Sequence, residues 1–282
     1  MRIALATCRE LPDPDPDAEP LIGALRALGA DAQWVAWDDP AADFKSYDLC
    51  VVRSTWDYIH KVQPFLEWTA RVSNQTKLLN PMSVICWNSD KFYLSDLEAR
   101  DVPAVPTIFV PRGSKAVLSA LLGGRGWKDI VIKPQVGAGS FATERFGADK
   151  MDEAQAFLNL HCAERAMMVQ PYLKSVEGPG ERALVWIAGE LTHAVRKHPR
   201  FGADPEQVST ALPISQAERE LAERALAPYA RELLYARVDL ARDDAGRLLL
   251  MELELIEPSL FLAQEPRALA RLAKACVDAA RK

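Results

Sequence analysis

A chain of 282 residues has room for about two domains at roughly 150 residues each, and 49% hydrophobic against 26% charged residues excludes a wholly disordered chain. With 34 Lys and Arg against 39 Asp and Glu, the net charge of -5 excludes the basic footprint of a protein that grips nucleic acid mainly through phosphates. No apolar run approaches the ~18 to 20 residues that cross a bilayer, the N-terminus lacks a secretory apolar core, and the five cysteines are scattered without a CxxC pair. A soluble cytoplasmic protein, bound to neither membrane nor nucleic acid, is expected.

Residues 2–6 predict a strand. A turn rich in Pro and Asp at 12–17 leads into a helix whose apolar face holds Leu21, Ile22, Leu25 and Leu28, closed by Gly29. Strands are predicted at 33–37 and 49–53, and a helix at 64–73. This alternation predicts a mainly parallel sheet covered by helices, with ligands beyond the carboxyl ends of the strands. The third strand runs out into Arg53, Ser54, Thr55, Trp56 and Asp57. That segment reads either as a substrate contact or as a helix start, with Ser54 or Thr55 capping and Trp56 packed on the sheet.

Asn80-Pro81 reads as a hinge. A helix carrying Lys91, Leu94 and Leu97 follows, then a strand at 107–110 and a helix near 115–122. From residue 129 the pattern changes to hairpins. Strands at 130–133 and 141–146 flank a glycine loop at 134–140, and a helix at 151–162 precedes a strand at 167–170. Two further hairpins pair 182–188 with 191–196 and 234–241 with 247–254, and a helix at 265–280 ends the chain. The expected fold is therefore α/β followed by α+β.

The P-loop, the dinucleotide fingerprint, the G-x-S-x-G elbow and the H-E-x-x-H zinc motif are all absent. Lys133 ends a strand and is followed at once by a loop with Gly137, Gly139 and Ser140. Backbone N–H groups of such a loop can turn onto phosphate oxygens beside a lysine charge, although a plain hairpin turn has the same composition. Near the C-terminus, Glu252 and Glu254 are two residues apart and share a sheet face, with Asp239 and Arg237 brought alongside by the hairpin. Three carboxylates there suit magnesium shared with phosphates, and a solvated polar sheet face is the alternative. Arg196, at a strand end with Lys197 and His198, is a candidate for phosphate or substrate carboxylate. Glu257 and Ser259 stand where a substrate amine or carboxylate would be held.

These segments, in this order, resemble the ATP-grasp superfamily over residues 88–259. The resemblance implies a three-part architecture: an N-terminal parallel α/β domain (1–85), then a small central lid domain (86–170) and a C-terminal antiparallel α+β domain (171–282) that hold ATP between two sheets. It makes Lys91 and Lys133 phosphate lysines, and 137–140 the phosphate loop. Gln170, Tyr172 and Leu173 become the adenine hinge, and Glu181 the ribose acid. Asp239, Glu252 and Glu254 become magnesium ligands, and Arg237 the group that stabilises the oxyanion. Many members carry Asn where this chain has Glu254, which adds negative charge here. The implied activity is ATP- and Mg2+-dependent ligation of a carboxylate to nitrogen through an acyl phosphate, on a small amino-acid-like substrate. The stretches VVRSTWDY, GERALVWIAGELTHAVRK and MELELIEPSLF are most similar to a small group that includes the cyclising ligase of D-cycloserine biosynthesis. That likeness implies intramolecular closure of O-ureidoserine. A two-substrate amino-acid or dipeptide ligase and a non-catalytic ATP-binding module are the alternatives, and a homo-oligomer is the base expectation for a soluble enzyme.

Overall fold

The structure, a computed structural model, describes residues 1–10, 15–198 and 207–281; residues 12–14 of the expected Pro-Asp turn lie outside them. The first layer begins with β1 (Arg2–Thr7), α1 (Ala18–Ala27), β2 (Asp31–Ala36), β3 (Leu49–Ser54), α2 (Val62–Ser73) and β4 (Lys77–Leu79). The four strands are parallel in the order β2-β1-β3-β4. Each is apolar enough to be covered on both faces, as parallel sheets are. Gly29 stops α1 because its φ of 81° suits a residue without Cβ, and the Gly29 and Ala30 amides close back on Arg26 and Leu25. On one face α2 buries Phe65 and Trp68 against Trp37 and Phe44.

Two short helices, α3 (Met82–Asn88) and α4 (Tyr93–Glu98), follow. The expected hinge at Asn80-Pro81 is a clamp. The Asn80 amide donates to Tyr235 O (2.9 Å) and Leu255 O (2.7 Å), and its carbonyl accepts from Leu234 N–H (2.7 Å). Asn88 repeats the device, donating to Leu253 O and accepting from Leu255 N–H. Side chains of α4 share one core with Leu184, Leu240 and Leu250 of the C-terminal sheet.

The second sheet collects β5 (Ile108–Val110), β6 (Ile130–Pro134), β7 (Glu144–Phe146) and β8 (Met167–Pro171) in the antiparallel order β5-β8-β6-β7. It is backed by α5 (Leu118–Leu122) and α6 (Met151–Cys162) and has its own core, including Ile130, Ile132, Phe146 and Leu158. The strand expected from 141 starts only at Glu144. Ser140 and Ala142 take positive φ, and the amides of Phe141 and Thr143 turn back onto Ala138 and Ser140. The glycine loop is therefore longer than its glycines suggest. The helix expected from 115 starts at Leu118, whose amide is taken by the Gln155 side chain (2.6 Å).

The third sheet is antiparallel, β10-β9-β11-β12, from β9 (Glu181–Ile187), β10 (Glu190–Lys197), β11 (Tyr235–Arg242) and β12 (Leu248–Glu254). One face packs on α4 and on α7 (Gln216–Leu226). The other meets α8 (Pro266–Ala280) and joins the core of the first sheet through Val185, Ile187 and Leu272. Its polar end is left facing the second sheet. Among the described residues, no helix is long and apolar enough to cross a membrane.

Candidate active site

The antiparallel register of β11 and β12 sets Asp239 opposite Glu252 and Arg237 opposite Glu254, so all four side chains leave the same face. Across from them stand two lysines from different elements. Lys133 sits near the end of β6, and Lys91 lies between α3 and α4. The Lys91 amine is 3.1 Å from Glu252 Oε1 and the Lys133 amine 3.8 Å from Oε2. Lys91 is also tied to the glycine loop, its amide donating to Gln135 O (3.0 Å) and its amine to Gly137 O. The gap between the two sheets is a cleft of about 780 Å³.

Electrostatics differ from acid to acid. Burial pushes the Glu252 carboxyl up, but Lys91 and Lys133 outweigh it and hold the group below the usual carboxylate range. Burial brings the Lys133 amine down, against the pull of Glu252. Burial pushes Glu254 up to about 7 despite Arg237, with Asp239 and Glu252 adding to the rise. Asp239 is 1% exposed, and Arg237 (2.9 and 2.8 Å) and Lys197 (3.0 Å) occupy both its oxygens. It does not line the cleft. Asp239 thus anchors two cations at the base of the site, while Glu252 and Glu254, themselves paired with Lys91, Lys133 and Arg237, line the cleft above it.

At one end the cleft is walled by Gln170, Tyr172 and Leu173, where β8 leaves the second sheet. The Gln170 side chain is held by Thr107 Oγ1 (2.8 Å), and Arg145 lies over the Tyr172 ring at 3.7 Å. Glu181 lines the same cleft, paired with Lys197 at 2.7 Å; burial raises its carboxyl against that lysine. Gly137, Gly139 and Ser140 form the opposite rim. Beyond the loop tip, Phe141 packs edge-on against His60 of the first layer, centroids 4.9 Å apart.

The expected substrate segment divides. Trp56, Glu257 and Ser259 line the cleft; Arg53, Ser54, Thr55 and Asp57 do not. Arg53 is 1% exposed, donates to Pro258 O (2.9 Å) and stacks over Tyr235. Ser54 bonds Thr7, Thr55 is fully buried, and Asp57 accepts from Trp37 Nε1 (2.8 Å) and Lys61 (2.8 Å). These four side chains are taken up by contacts beside the cleft and do not line it.

Arg196 is likewise displaced by its neighbour. A regular hairpin from the Ile187–Glu190 pair would set residue 196 opposite Glu181. A bulge at Thr192 advances the register by one, so Lys197 pairs with Glu181 and Arg196 turns to the other face. There its Cγ crowds Gly180, where a Cβ would come within 2.3 Å. Lys197 and Phe141 are thus functional candidates that the sequence reading passed over.

Two sheets closing on a cleft, with a lysine from one and a second from the helical connection meeting acids from the other, define an ATP-grasp ligase, and the chain is an ATP-dependent ligase of that fold. The description "D-cycloserine synthetase DcsG, N-terminal domain" matches residues 3–80. The cycloserine biosynthesis protein DcsG of Streptomyces lavendulae is 31% identical over 280 residues, 94% of each chain. The crystal structure of D-cycloserine synthetase DcsG superposes with a TM-score of 0.90, covering 99% of this chain and 100% of that one at 31% identity. More distant structures share the fold. The ATP-grasp ligase PsnB complexed with minimal precursor has a TM-score of 0.68 at 15% identity over 98% of both chains. D-alanine–D-alanine ligase from Bacillus anthracis complexed with ATP has 0.65 at 16%, over 100% of this chain and 97% of that one. The chain belongs to the DcsG family.

Among the described residues no three His, Cys, Asp or Glu side chains gather into a ready metal cage. Magnesium seldom asks for one, being held by one or two carboxylates together with the phosphates it accompanies. Two carboxylates, Glu252 and Glu254, facing a cleft that two lysines enter meet that requirement.

Proposed function

We propose that this enzyme activates the carboxylate of an amino-acid-like substrate with ATP and closes a C–N bond, with O-ureidoserine as substrate and cycloserine as product. The observation that carries this reading is the meeting of Lys91, Lys133 and Glu252 across the cleft. The name of the relative, a cycloserine biosynthesis protein, supports the choice of substrate. In the first half-reaction a carboxylate oxygen attacks the γ-phosphorus and ADP leaves. In the second, the oxygen-bound ureido nitrogen adds to the acyl carbon, gives its proton to solvent, and inorganic phosphate departs; water then removes the carbamoyl group left on the ring nitrogen as ammonia and carbon dioxide, which yields cycloserine. Such phosphoryl transfer is mostly positioning and charge neutralisation. Lys91 and Lys133 would neutralise phosphate oxygens in place of the Glu252 charge they meet here. Asp239, Glu252 and Glu254 would hold magnesium, which would offset the phosphate charge. Gln170, Tyr172 and Leu173 would take the base, Glu181 the ribose, and Gly137, Gly139 and Ser140 the phosphates. Arg237 would face the oxyanion of the addition step. A cytoplasmic setting, where ATP is available, fits this reading.

A melting scan and an ADP-release assay test it. ATP·Mg should raise the melting temperature, since a ligand at a hundred times its Kd stabilises by about 2.7 kcal/mol. O-ureidoserine alone should then release one ADP per ring formed. Release that requires a second amino acid would replace ring closure by two-substrate ligation, and neither shift nor release would refute the reading.

A further inference from the structure

The cleft-lining acids can be matched one by one to the groups that compensate them. Glu252 has two lysines, Glu254 has Arg237, and Glu181 has Lys197. Asp17 accepts from the amides of Leu260 (2.7 Å) and Leu262 (2.8 Å). Glu257 is left over. It lines the cleft, and among the described residues its carboxylate has neither an ion pair nor a hydrogen bond. Burial pushes it up to about 8, with the charge of Glu254 acting in the same direction. A half-buried carboxylate without a cation is costly to keep, and several hydrogen bonds hold the backbone around this one in place. Trp56 Nε1 donates to Glu257 O (3.0 Å), Arg53 to Pro258 O (2.9 Å), and the Tyr235 hydroxyl to Ile256 O (2.7 Å). Trp56 and Tyr58 line the same cleft, and aromatic faces favour a neighbouring cation.

We propose that Glu257 receives the free ammonium group of the substrate, so that the enzyme selects carboxylates carrying an unblocked α-amine. This rests on the amino-acid ligase reading above. The cation has to arrive with the substrate because the cleft's own cations are already paired with Glu252, Glu254 and Glu181. The scale also fits. Glu257 lies three positions beyond Glu254, a span of at most about 10 Å, so an amine on one and a carboxylate being activated near the other can belong to one small molecule.

The test compares O-ureidoserine with its deaminated analogue, 3-(ureidooxy)propanoate, on wild type, Glu257→Gln and Glu257→Asp. Binding is measured by calorimetry on protein loaded with a non-hydrolysable ATP analogue and Mg2+, and turnover by ADP release. Wild type should bind O-ureidoserine at least tenfold more tightly than the analogue, the scale of a hydrogen bond to a charged group. Glu257→Gln should lose that preference, with a raised KM for O-ureidoserine and an unchanged KM for ATP, while Glu257→Asp recovers part of it. A kcat loss of equal size on both compounds, with KM unchanged, would make Glu257 a general base and overturn the proposal. Full discrimination in Glu257→Gln would overturn it too. Wild type that binds ATP·Mg and the two compounds equally well refutes the ammonium site alone; wild type that binds ATP·Mg and neither compound refutes the substrate reading as well. A melting scan of each variant separates these outcomes from misfolding.

Discussion

Asn80→Ala should weaken the whole molecule far more than its small volume suggests. Asn80 is 0% exposed, and its side chain makes three hydrogen bonds to backbone groups of residues 234, 235 and 255. Truncation leaves two carbonyls and one amide buried without partners. An unsatisfied buried polar group costs about 1–3 kcal/mol, so the three together should cost roughly 3–9 kcal/mol, a large share of a typical stability of about 5–15 kcal/mol. For a chain of this size each kcal/mol lowers the melting temperature by about 2–4 °C, which predicts a fall of roughly 6 °C or more. Urea unfolding followed by circular dichroism gives the free energy directly. Asn74→Ala, which removes an exposed bond to Ala70 O, serves as the control and should stay within about 0.5 kcal/mol. A loss below about 1 kcal/mol in Asn80→Ala would refute the argument that this side chain fastens the first layer to the third sheet.

Three further outcomes follow from particular contacts. Lys197→Met should raise the KM for ATP about tenfold and shrink the ATP·Mg melting shift, whereas Arg196→Met should change the KM less than twofold; steady-state ADP release on both variants decides it, and the reverse ranking would refute the register shift. Burial raises the Glu218 carboxyl, but hydrogen bonds from Arg182 (2.7 Å) and Ser215 outweigh it and hold it below the usual carboxylate range. Its contribution is therefore full above the unfolded value of about 4.3 and is lost as pH falls through the lower folded value, so melting curves of wild type and Glu218→Gln should converge below about pH 4. Phe141→Ala removes the contact between the glycine loop and His60, so water should reach the activated carboxylate. ADP released per product formed, measured by paired assays, should rise severalfold, and an unchanged ratio would refute a sealing role.

The site was legible where side-chain type and strand parity carried it. Lys133, Glu252 and Glu254 were readable because a charged residue inside an apolar strand or at its end has few other reasons to be there, whereas Lys91, between two helices, was marked only by the family resemblance. Parity failed at Arg196, since one extra residue at Thr192 inverts the faces beyond it and a bulge without glycine leaves no mark in the sequence. Trp56 and Asp57 look equally functional in the chain; the indole of Trp37, from a distant loop, claims the second and not the first. One element was missed despite a visible signal. Ser215 and Glu218 have the spacing of a capping box, and both halves form at the start of α7. The clamps at Asn80 and Asn88 were not visible in the sequence, because an asparagine before proline reads as a turn until its partners, more than 150 residues away, are known.

The distribution of these fastenings decides which part of the enzyme moves. Asn80, Asn88, Arg53, Trp56 and Asp17 all join the N-terminal half of the chain to strands or loops of the C-terminal sheet. Among the described residues the second sheet is tied differently: by the ion pairs Lys133–Glu252 and Arg145–Glu177, by Gln170 on Thr107, by the bonds from residues 90 and 91 to the glycine loop, and by the ring contact at Phe141. A swing of residues 108–171 on the riveted base would therefore part Lys133 from Glu252 and the glycine loop from Lys91, while the Lys91–Glu252 pair stays with the base.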